Sequence, residues 1–144
     1  MKIVVQRVKK AKVDVDNKTV GEIDKGLLLL VSFTHSDTLD NIKYMVNKVI
    51  NLRIFDDQNG VMNLSVKDVG GSILSVSQFT LYADCSKGNR PSYVNSMKAE
   101  EAKKMYEIFN EELKKEIKVE TGIFHAEMEV SLINDGPITI ILER

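Results

Sequence analysis

Polar side chains interrupt an apolar stretch in the middle of the chain. Gly70-Gly71 precedes a run that predicts a strand across Ile73–Tyr82. The run also contains four groups that can hydrogen-bond, namely Ser75, Ser77, Gln78 and Thr80. Burying each of these groups without a partner would cost about 1 to 3 kcal/mol, so we expect them to bond one another or to line an accessible pocket.

Side-chain nucleophiles and bases are few. The candidate nucleophiles are Ser77, Thr80 and Cys85, and the candidate bases are His35 and His125. A nucleophile needs an adjacent base, yet no triad signature links these residues along the chain. Two isolated histidines and a single cysteine lack the spacing of a metal site, so we expect no metal and no cofactor.

Backbone N–H groups offer another route to ester chemistry. They can stabilise an oxyanion without any special side chain, and one such donor is worth roughly 2.7 to 4 kcal/mol in the transition state. The polar strand end is one place where amides could be presented in this way. The sequence leaves both routes open.

The first third of the chain predicts strands that would position this segment. Alternating residues predict a strand over Lys2–Val8, with Arg7 as an exposed charge at its end. Ala11–Asp16 and Thr19–Ile23 predict a hairpin. The unbroken apolar run Leu27–Val31 predicts a strand buried on both faces.

Two helices and further short strands complete the pattern. Apolar residues at three- and four-residue steps predict a first helix whose core face is Leu39, Ile42, Met45, Val46, Val49 and Ile50. A second helix is expected from about Met97 to Glu116. Short strands are predicted at Arg53–Phe55 and Leu64–Val66, and Asn134–Pro137 is expected to be a turn within the last strands. These elements predict an α+β fold, with a curved, barrel-like, mostly antiparallel sheet and both helices packed outside it.

Length and composition limit the class of protein. A chain of 144 residues fits one domain, and 43% hydrophobic with 28% charged residues is typical of a globular protein. No apolar run is long enough to cross a bilayer, and no signal-peptide pattern follows Met1, so we expect a cytoplasmic protein. The single cysteine agrees with a reducing compartment.

Two long motifs, the first with a polar continuation, resemble one known family. They are Ser77-Gln78-Phe79-Thr80-Leu81, continued by Tyr82-Ala83-Asp84 with Lys87-Gly88 and Arg90-Pro91-Ser92, and the distant Asn134-Asp135-Gly136-Pro137-Ile138-Thr139. Together they are similar to the D-aminoacyl-tRNA deacylase family, and the resemblance covers residues 1–144 as a single deacylase domain. It implies a barrel-like α+β fold and a two-fold homodimer with the active site at the subunit interface.

The resemblance also implies an activity and a set of site residues. The activity is hydrolysis of the ester bond of D-aminoacyl-tRNA, and of glycine mischarged on tRNA-Ala, at the acceptor end. The implied catalytic segment is Ser77, Gln78, Phe79 and Thr80, whose amides would stabilise the oxyanion while the tRNA 2′-hydroxyl assists a water. Thr80 as a covalent nucleophile remains the alternative.

Chiral selection is implied to come from main chain rather than from side chains. The family has a cis Gly136-Pro137 bond at this motif, delivered into the partner subunit's pocket, where its carbonyls hold the α-ammonium and exclude an L side chain. Arg7 matches the residue that braces these carbonyls. His125 departs from the pattern, which usually has Gly between Phe124 and Ala126, so we expect an altered loop and no catalytic role for it.

Other functions compete with this one. A non-catalytic tRNA-binding module of the same fold is the main alternative, and a Thr- or Cys-dependent amidohydrolase acting on small D-amino-acid derivatives is another. A net charge of −1 means that any phosphate contact must come from a local set of basic residues. The candidates are Lys9, Lys10, Lys12, Lys87 and Arg90.

Overall fold

A strongly curved sheet forms the centre of the protein in a computed structural model, which describes residues 1–144. The strands in chain order are β1 (Lys2–Val15), β2 (Lys18–Ile23), β3 (Gly26–Ser32), β4 (Phe55–Asp56), β5 (Met62–Leu64), β6 (Ser72–Ser77), β7 (Val119–Thr121) and β8 (Glu129–Glu143). The helices are α1 (Leu39–Ile50) and α2 (Ala99–Lys114), and Phe79–Tyr82 form a 3₁₀ turn. The barrel-like sheet and the two helices confirm the predicted α+β class.

The sheet is mixed, but three of its five strand pairs are antiparallel, in agreement with the prediction of a mostly antiparallel sheet. Its strand order is β2-β1-β3-β6-β7, and β8 pairs with β1. β1 is antiparallel to β2, β3 and β8, whereas β3–β6 and β6–β7 are parallel. The parallel pairs arise because each helix lies in the crossover between two strands, and such a crossover returns the chain in the same direction. The sheet nearly closes into a barrel where β2 approaches β7: a Cβ on Gly21 would lie 2.8 Å from the Thr121 carbonyl oxygen.

β1 is a single strand of 14 residues, not the two shorter strands that were predicted. The pattern breaks at Lys9 and Lys10 because β1 changes partner there: its pairing with β3 ends at Val8 and its pairing with β2 begins at Ala11. Both lysines are exposed. The predicted hairpin between β1 and β2 is confirmed.

The core lies on both faces of β3, as predicted. Leu27, Leu28 and Leu29 are each at most 1% exposed, and Leu28 belongs to a different hydrophobic cluster from its two neighbours. The cluster that holds Leu27 and Leu29 also contains the apolar faces of α1 and α2. The predicted face of α1 is confirmed except at Leu39, which is 52% exposed because it lies in the first turn. Neither helix is long and apolar enough to cross a membrane.

The short hairpin of β4 and β5 is shifted from its predicted position. β4 is Phe55–Asp56 and β5 is Met62–Leu64, whereas strands were expected at Arg53–Phe55 and Leu64–Val66. The turn between them closes at Asp57, whose N–H donates to the Val61 carbonyl at 2.8 Å. That bond sets the register of the hairpin.

The predicted turn at Asn134–Pro137 is wrong, because this segment is a bulge inside β8. Gln6 of β1 pairs with Thr139, and Val8 pairs with Asn134. The four residues 135–138 therefore face the single residue Arg7. Turn-forming residues serve a bulge equally well, so local composition could not separate the two. The Gly136-Pro137 peptide within the bulge is cis, as the resemblance implies.

Candidate active site

The carboxyl ends of β3 and β6 lie side by side because these strands run parallel. Val31 pairs with Ser77 at the last position of the ladder. One residue later, the Gln78 N–H donates to the Val31 carbonyl at 2.8 Å. The backbone at the polar strand end is therefore bonded to β3, and the backbone N–H of Gln78 is not free to bind a substrate.

The chain turns immediately after Gln78, so the prediction of a strand as far as Tyr82 is wrong. The Leu81 N–H donates to the Gln78 carbonyl at 3.2 Å and the Ala83 N–H to the Thr80 carbonyl at 3.0 Å. Ser96 Oγ donates to the Phe79 carbonyl at 2.9 Å and holds the turn from outside. β-forming residues adopt a 3₁₀ turn here because tertiary hydrogen bonds outweigh their intrinsic preference.

A cavity of about 480 Å³ opens beside this strand end. Its walls come from the ends of β3 and β6, the segment before α2, the start of α2, and the stretch from the β7–β8 loop into β8. The residues that line it are Val31, Ser32, Phe33, Val76, Ser77, Gln78, Phe79, Tyr93, Ser96, Met97, Ala99, Ala102, Phe124, His125, Ala126, Met128 and Val130. The lining is mainly apolar with a few polar groups, as in small-molecule sites, and it contains no Asp, Glu, Lys or Arg.

The polar side chains between Ser75 and Thr80 show both of the outcomes expected from the sequence: some line a cavity, and some bond one another. Ser77 and Gln78 line the cavity, and Gln78 Nε2 donates to Thr80 Oγ1 at 2.6 Å. Thr80 does not line the cavity but holds the Gln78 side chain. Ser75 is the exception, because it is fully buried and its hydroxyl has no partner. Its carbonyl accepts a hydrogen bond from the Tyr106 hydroxyl at 2.7 Å, and burial raises the pKa of Tyr106.

Arg7 lies in a second polar group, at the bulge in β8. It is only 6% exposed, which corrects the expected exposed strand end, since β1 continues well beyond it. Its Nη1 donates to the Ile54 carbonyl at 2.7 Å, and its Nε donates to the Asp135 carbonyl at 3.3 Å. The Asp135 carboxylate also lies 3.2 Å from Nε. Arg7 thus supports the bulge at the residue before Gly136.

Asn134 holds the other end of the same bulge, a role that the sequence did not reveal. Its Nδ2 donates to the carbonyls of Arg7 at 3.0 Å and Ile138 at 2.9 Å. Gly136 has a φ of +122°, and a Cβ there would lie 2.8 Å from the Ile138 Cγ1. Only glycine fits this backbone without strain. The Asn-Asp-Gly-Pro motif was the available signal, since its amide side chain can bond nearby main chain.

The two groups of site residues are separate within one chain. Ser77, Gln78 and Phe79 line the cavity, whereas neither Arg7 nor the Gly136-Pro137 bulge does. Gly136 and Pro137 are both exposed. A single chain therefore has a cavity and an exposed bulge, supported by Arg7 and Asn134, that does not line it.

The remaining candidates for side-chain chemistry are scattered. Cys85 is exposed and does not line the cavity. His35 Nε2 lies 2.9 Å from the Val94 carbonyl, also outside the cavity lining. His125 does line the cavity, and its φ of +69° is a left-handed conformation. No three His, Cys, Asp or Glu residues meet in a group that could hold a metal ion.

Comparison with known proteins agrees with this geometry. The family model described as D-Tyr-tRNA(Tyr) deacylase matches residues 4–143. A D-aminoacyl-tRNA deacylase of Geobacillus sp. (strain WCH70) is 58% identical over 144 residues, which cover 99% of this chain and 95% of that one. The same-named protein of Thermosipho africanus (strain TCF52B) is 56% identical over 144 residues, covering 99% of this chain and 97% of that one.

Two solved structures have the same fold. The structure titled "c-Myc DNA Unwinding Element Binding Protein" superposes with a TM-score of 0.95 and 40% identity, covering 100% of this chain and 99% of that one. A probable eukaryotic D-amino acid tRNA deacylase superposes with a TM-score of 0.84 over 98% of this chain and 97% of that one, and at 16% identity it shows the fold alone. The family match and the close relatives confirm the resemblance seen in the sequence motifs: the chain belongs to the D-aminoacyl-tRNA deacylase family, whose members are hydrolases that act on aminoacyl-tRNA.

Proposed function

We propose that this protein removes D-amino acids from tRNA in the cytosol and thereby acts in translational quality control, as a single domain over residues 1–144. It cleaves the ester between the amino acid and the terminal ribose, releasing free tRNA and the D-amino acid. We include glycine mischarged on tRNA-Ala among its substrates. The observation that carries the proposal is the cavity beside the paired ends of β3 and β6, lined by Ser77, Gln78 and Phe79.

The chemistry we propose uses main-chain amides and no covalent intermediate. The first N–H groups of a helical turn have no partner within the turn, so Phe79 and Thr80 supply donors for the oxyanion. The backbone N–H of Gln78 cannot serve as an oxyanion donor because it already donates to the Val31 carbonyl. A water attacks the ester carbonyl with help from the ribose 2′-hydroxyl, and cleavage of the C–O bond releases the ribose oxygen as a hydroxyl. Thr80 serves as the acceptor that orients Gln78.

We propose that chiral selection requires a second copy of the chain. Gly136 and Pro137 of the partner subunit enter the cavity, their carbonyls bind the α-ammonium, and their backbone leaves no space for an L side chain. A D side chain, or the hydrogen of glycine, avoids this clash. Support comes from the position of the bulge, which is exposed, lies away from its own cavity, and is held by Arg7 and Asn134.

The apolar residues left exposed on β8 are consistent with a homodimer. Ile133 is 45% exposed and Ile141 is 64% exposed, and they lie on either side of the bulge. Isolated exposed apolar residues are common on protein surfaces. Ile133 and Ile141 support a dimer contact only because they lie near Gly136 and Pro137. A dimer contact along β8 would cover these side chains and bring the bulge to a second cavity.

A substrate panel tests the activity. The purified chain is incubated with D-Tyr-tRNA, L-Tyr-tRNA, glycyl-tRNA-Ala and the ethyl ester of D-tyrosine. We expect loss of the D-tyrosyl and glycyl substrates only. Binding of tRNA without turnover would instead support a non-catalytic tRNA-binding module. Cleavage of the free ester would support a Thr- or Cys-dependent amidohydrolase, and hydrolysis of L-Tyr-tRNA would contradict chiral selection.

A mixed-dimer experiment tests the shared site. A Gln78→Ala chain and a Gly136→Ala chain are prepared separately, and each is expected to be nearly inactive. Unfolding and refolding them together should restore activity, because a mixed dimer has one site that combines an intact cavity with an intact bulge. No recovery in mixed samples that sedimentation shows to be dimeric would place both elements in the same subunit's site and contradict the proposal.

A further inference from the structure

His125 lies in the loop between β7 and β8 and forms part of the cavity wall together with Ser77 and Gln78. The mechanism above gives it no role. Its side chain nevertheless shares the cavity in which the ester is proposed to bind. The position therefore warrants a physical explanation of its own.

The backbone at His125 favours glycine over a residue with a side chain. Its φ of +69° is left-handed, where a Cβ is unfavourable and where glycine, asparagine and histidine are found more often than other residues. Retaining an imidazole here sacrifices some stability. Such an outlier at the edge of a cavity points from structure to function.

The imidazole belongs to an exposed residue and has one aromatic neighbour, which is itself tied to β6. Its ring packs edge-on against Phe124, with ring centres 5.7 Å apart, and Phe124 packs on Tyr106 at 5.9 Å. Tyr106 in turn donates its buried hydrogen bond to the Ser75 carbonyl. Phe124, against which the imidazole packs, is therefore connected through Tyr106 to the strand that also carries Ser77.

The ring nitrogens of His125 are available to a ligand. Neither forms a hydrogen bond within the chain, in contrast to His35, whose Nε2 contacts the Val94 carbonyl. The cavity lining has no Asp, Glu, Lys or Arg, so His125 is its only basic side chain. An imidazole can stack on a base, donate to a hydroxyl or bind a phosphate oxygen.

We propose that His125 contacts the terminal nucleotide of the aminoacyl-tRNA and strengthens its binding without taking part in ester cleavage. This inference rests on the proposed function. The amino acid differs between substrates, whereas the terminal nucleotide is common to all tRNAs, so an imidazole at the exposed edge of the cavity is best matched to the nucleotide. In this proposal His125 is a substrate-binding residue, in addition to the altered loop that the sequence led us to expect.

The test compares His125→Gly and His125→Asn with the wild-type enzyme on D-Tyr-tRNA and D-Asp-tRNA. Loss of one hydrogen bond or stacking contact predicts an increase in KM of about tenfold for His125→Gly, with kcat unchanged. His125→Asn keeps a donor and an acceptor and suits the same backbone, so its KM should rise less. The increase should be equal for both substrates, and the melting temperature of each variant should equal or exceed that of the wild type.

Several outcomes would overturn the inference. An unchanged KM, or a fall in kcat alone, would mean that His125 does not bind substrate in this way. An increase in KM confined to one of the two amino acids would place the contact on the amino acid rather than on the nucleotide. Wild-type enzyme that fails to hydrolyse D-Tyr-tRNA would overturn the proposed function and this inference together. Active wild-type enzyme with an unchanged KM in the His125 variants would overturn this inference alone.

Discussion

Arg7 and Asp135 join the middle of β1 to the bulge in β8. The Arg7 Nε lies 3.3 Å from the Asp135 carbonyl oxygen and 3.2 Å from its carboxylate. Because Asp135 directly precedes Gly136, the side chain that secures the pairing of two core strands also supports the exposed bulge. Stability and the proposed chiral selection therefore depend on the same guanidinium group.

Replacing Arg7 by lysine should reduce both stability and activity. A lysine keeps the charge but cannot bond the Ile54 and Asp135 carbonyls together, because it lacks the planar fork of a guanidinium. We expect the free energy of unfolding to fall by about 1 to 2 kcal/mol in urea titrations. Arg53→Lys is the control, since Arg53 is exposed and also bonds a carbonyl, that of Asn63 at 2.8 Å. Equal effects of the two substitutions would show that the two carbonyl bonds of Arg7 contribute no more than the single exposed bond of Arg53.

Gly136→Ala should abolish most D-Tyr-tRNA turnover. The new Cβ would lie 2.8 Å from the Ile138 Cγ1 and 3.3 Å from the Arg7 Nη2, so the bulge must move. The strain should cost about 1 to 3 kcal/mol of stability, measured by thermal unfolding. Gly60→Ala is the matched control, because Gly60 also has a positive φ, of +73°, but nothing lies within 4 Å of its Cβ position. Full activity of the Gly136 variant would refute a role for the bulge.

Thr80→Val should leave measurable deacylation. Valine has nearly the same shape but cannot accept the 2.6 Å hydrogen bond from Gln78 Nε2. A loss of about 1 kcal/mol in transition-state stabilisation corresponds to a kcat/KM about five- to tenfold lower. Thr19→Val, in the β1–β2 hairpin, removes a hydroxyl that bonds Asp14 and should have no effect on turnover. Complete inactivity of a folded Thr80 variant would favour Thr80 as a nucleophile.

Asp57 should make stability depend on pH in the acid range. Backbone N–H groups of Asn59 and Val61 donate to its carboxylate and hold its pKa below the ordinary value of 3.8. A depressed folded-state pKa gives stability that is fully present above the ordinary pKa and is lost as the pH falls through the folded one. Asp57→Asn should therefore melt below the wild type at pH 7, and the gap should narrow as the pH falls below 3.8. Melting temperatures measured from pH 2 to 7 provide the check, and a gap that stays constant would contradict it.

Local sequence patterns correctly predicted the elements whose apolar residues face the core in the folded chain. β3 and the buried face of α1 agree with the prediction. In both elements the spacing of the apolar residues matches the faces that are buried. The 3₁₀ turn at Phe79–Tyr82 could not be predicted in this way. Its residues favour strands, and the bond from Ser96 to the Phe79 carbonyl comes from a segment 17 positions away. The bulge in β8 is similar, since it is supported by the Arg7 side chain, which lies 128 positions away in the sequence.

The site was predictable to the extent that it depends on motifs. The motif residues Ser77, Gln78 and Phe79 do line a cavity, while Thr80 supports it from behind. Tyr93 and Met97 also line the cavity and were not identified as site residues, because only the folded chain brings them to the strand ends. His125 was noted as a departure from the family pattern, but its place on the wall required the structure.

The parallel pairing of β3 with β6 also affects how the molecule comes to be active. The cavity wall formed by the ends of β3 and β6 joins two segments separated by residues 33–71. A nascent chain that has emerged only through its first three strands therefore lacks the β6 side of the wall and has no complete cavity. Pairing across so long a separation is slow compared with closing a hairpin. The chain can therefore become active only late in its synthesis, and a chain that ends before β6 is expected to be inactive.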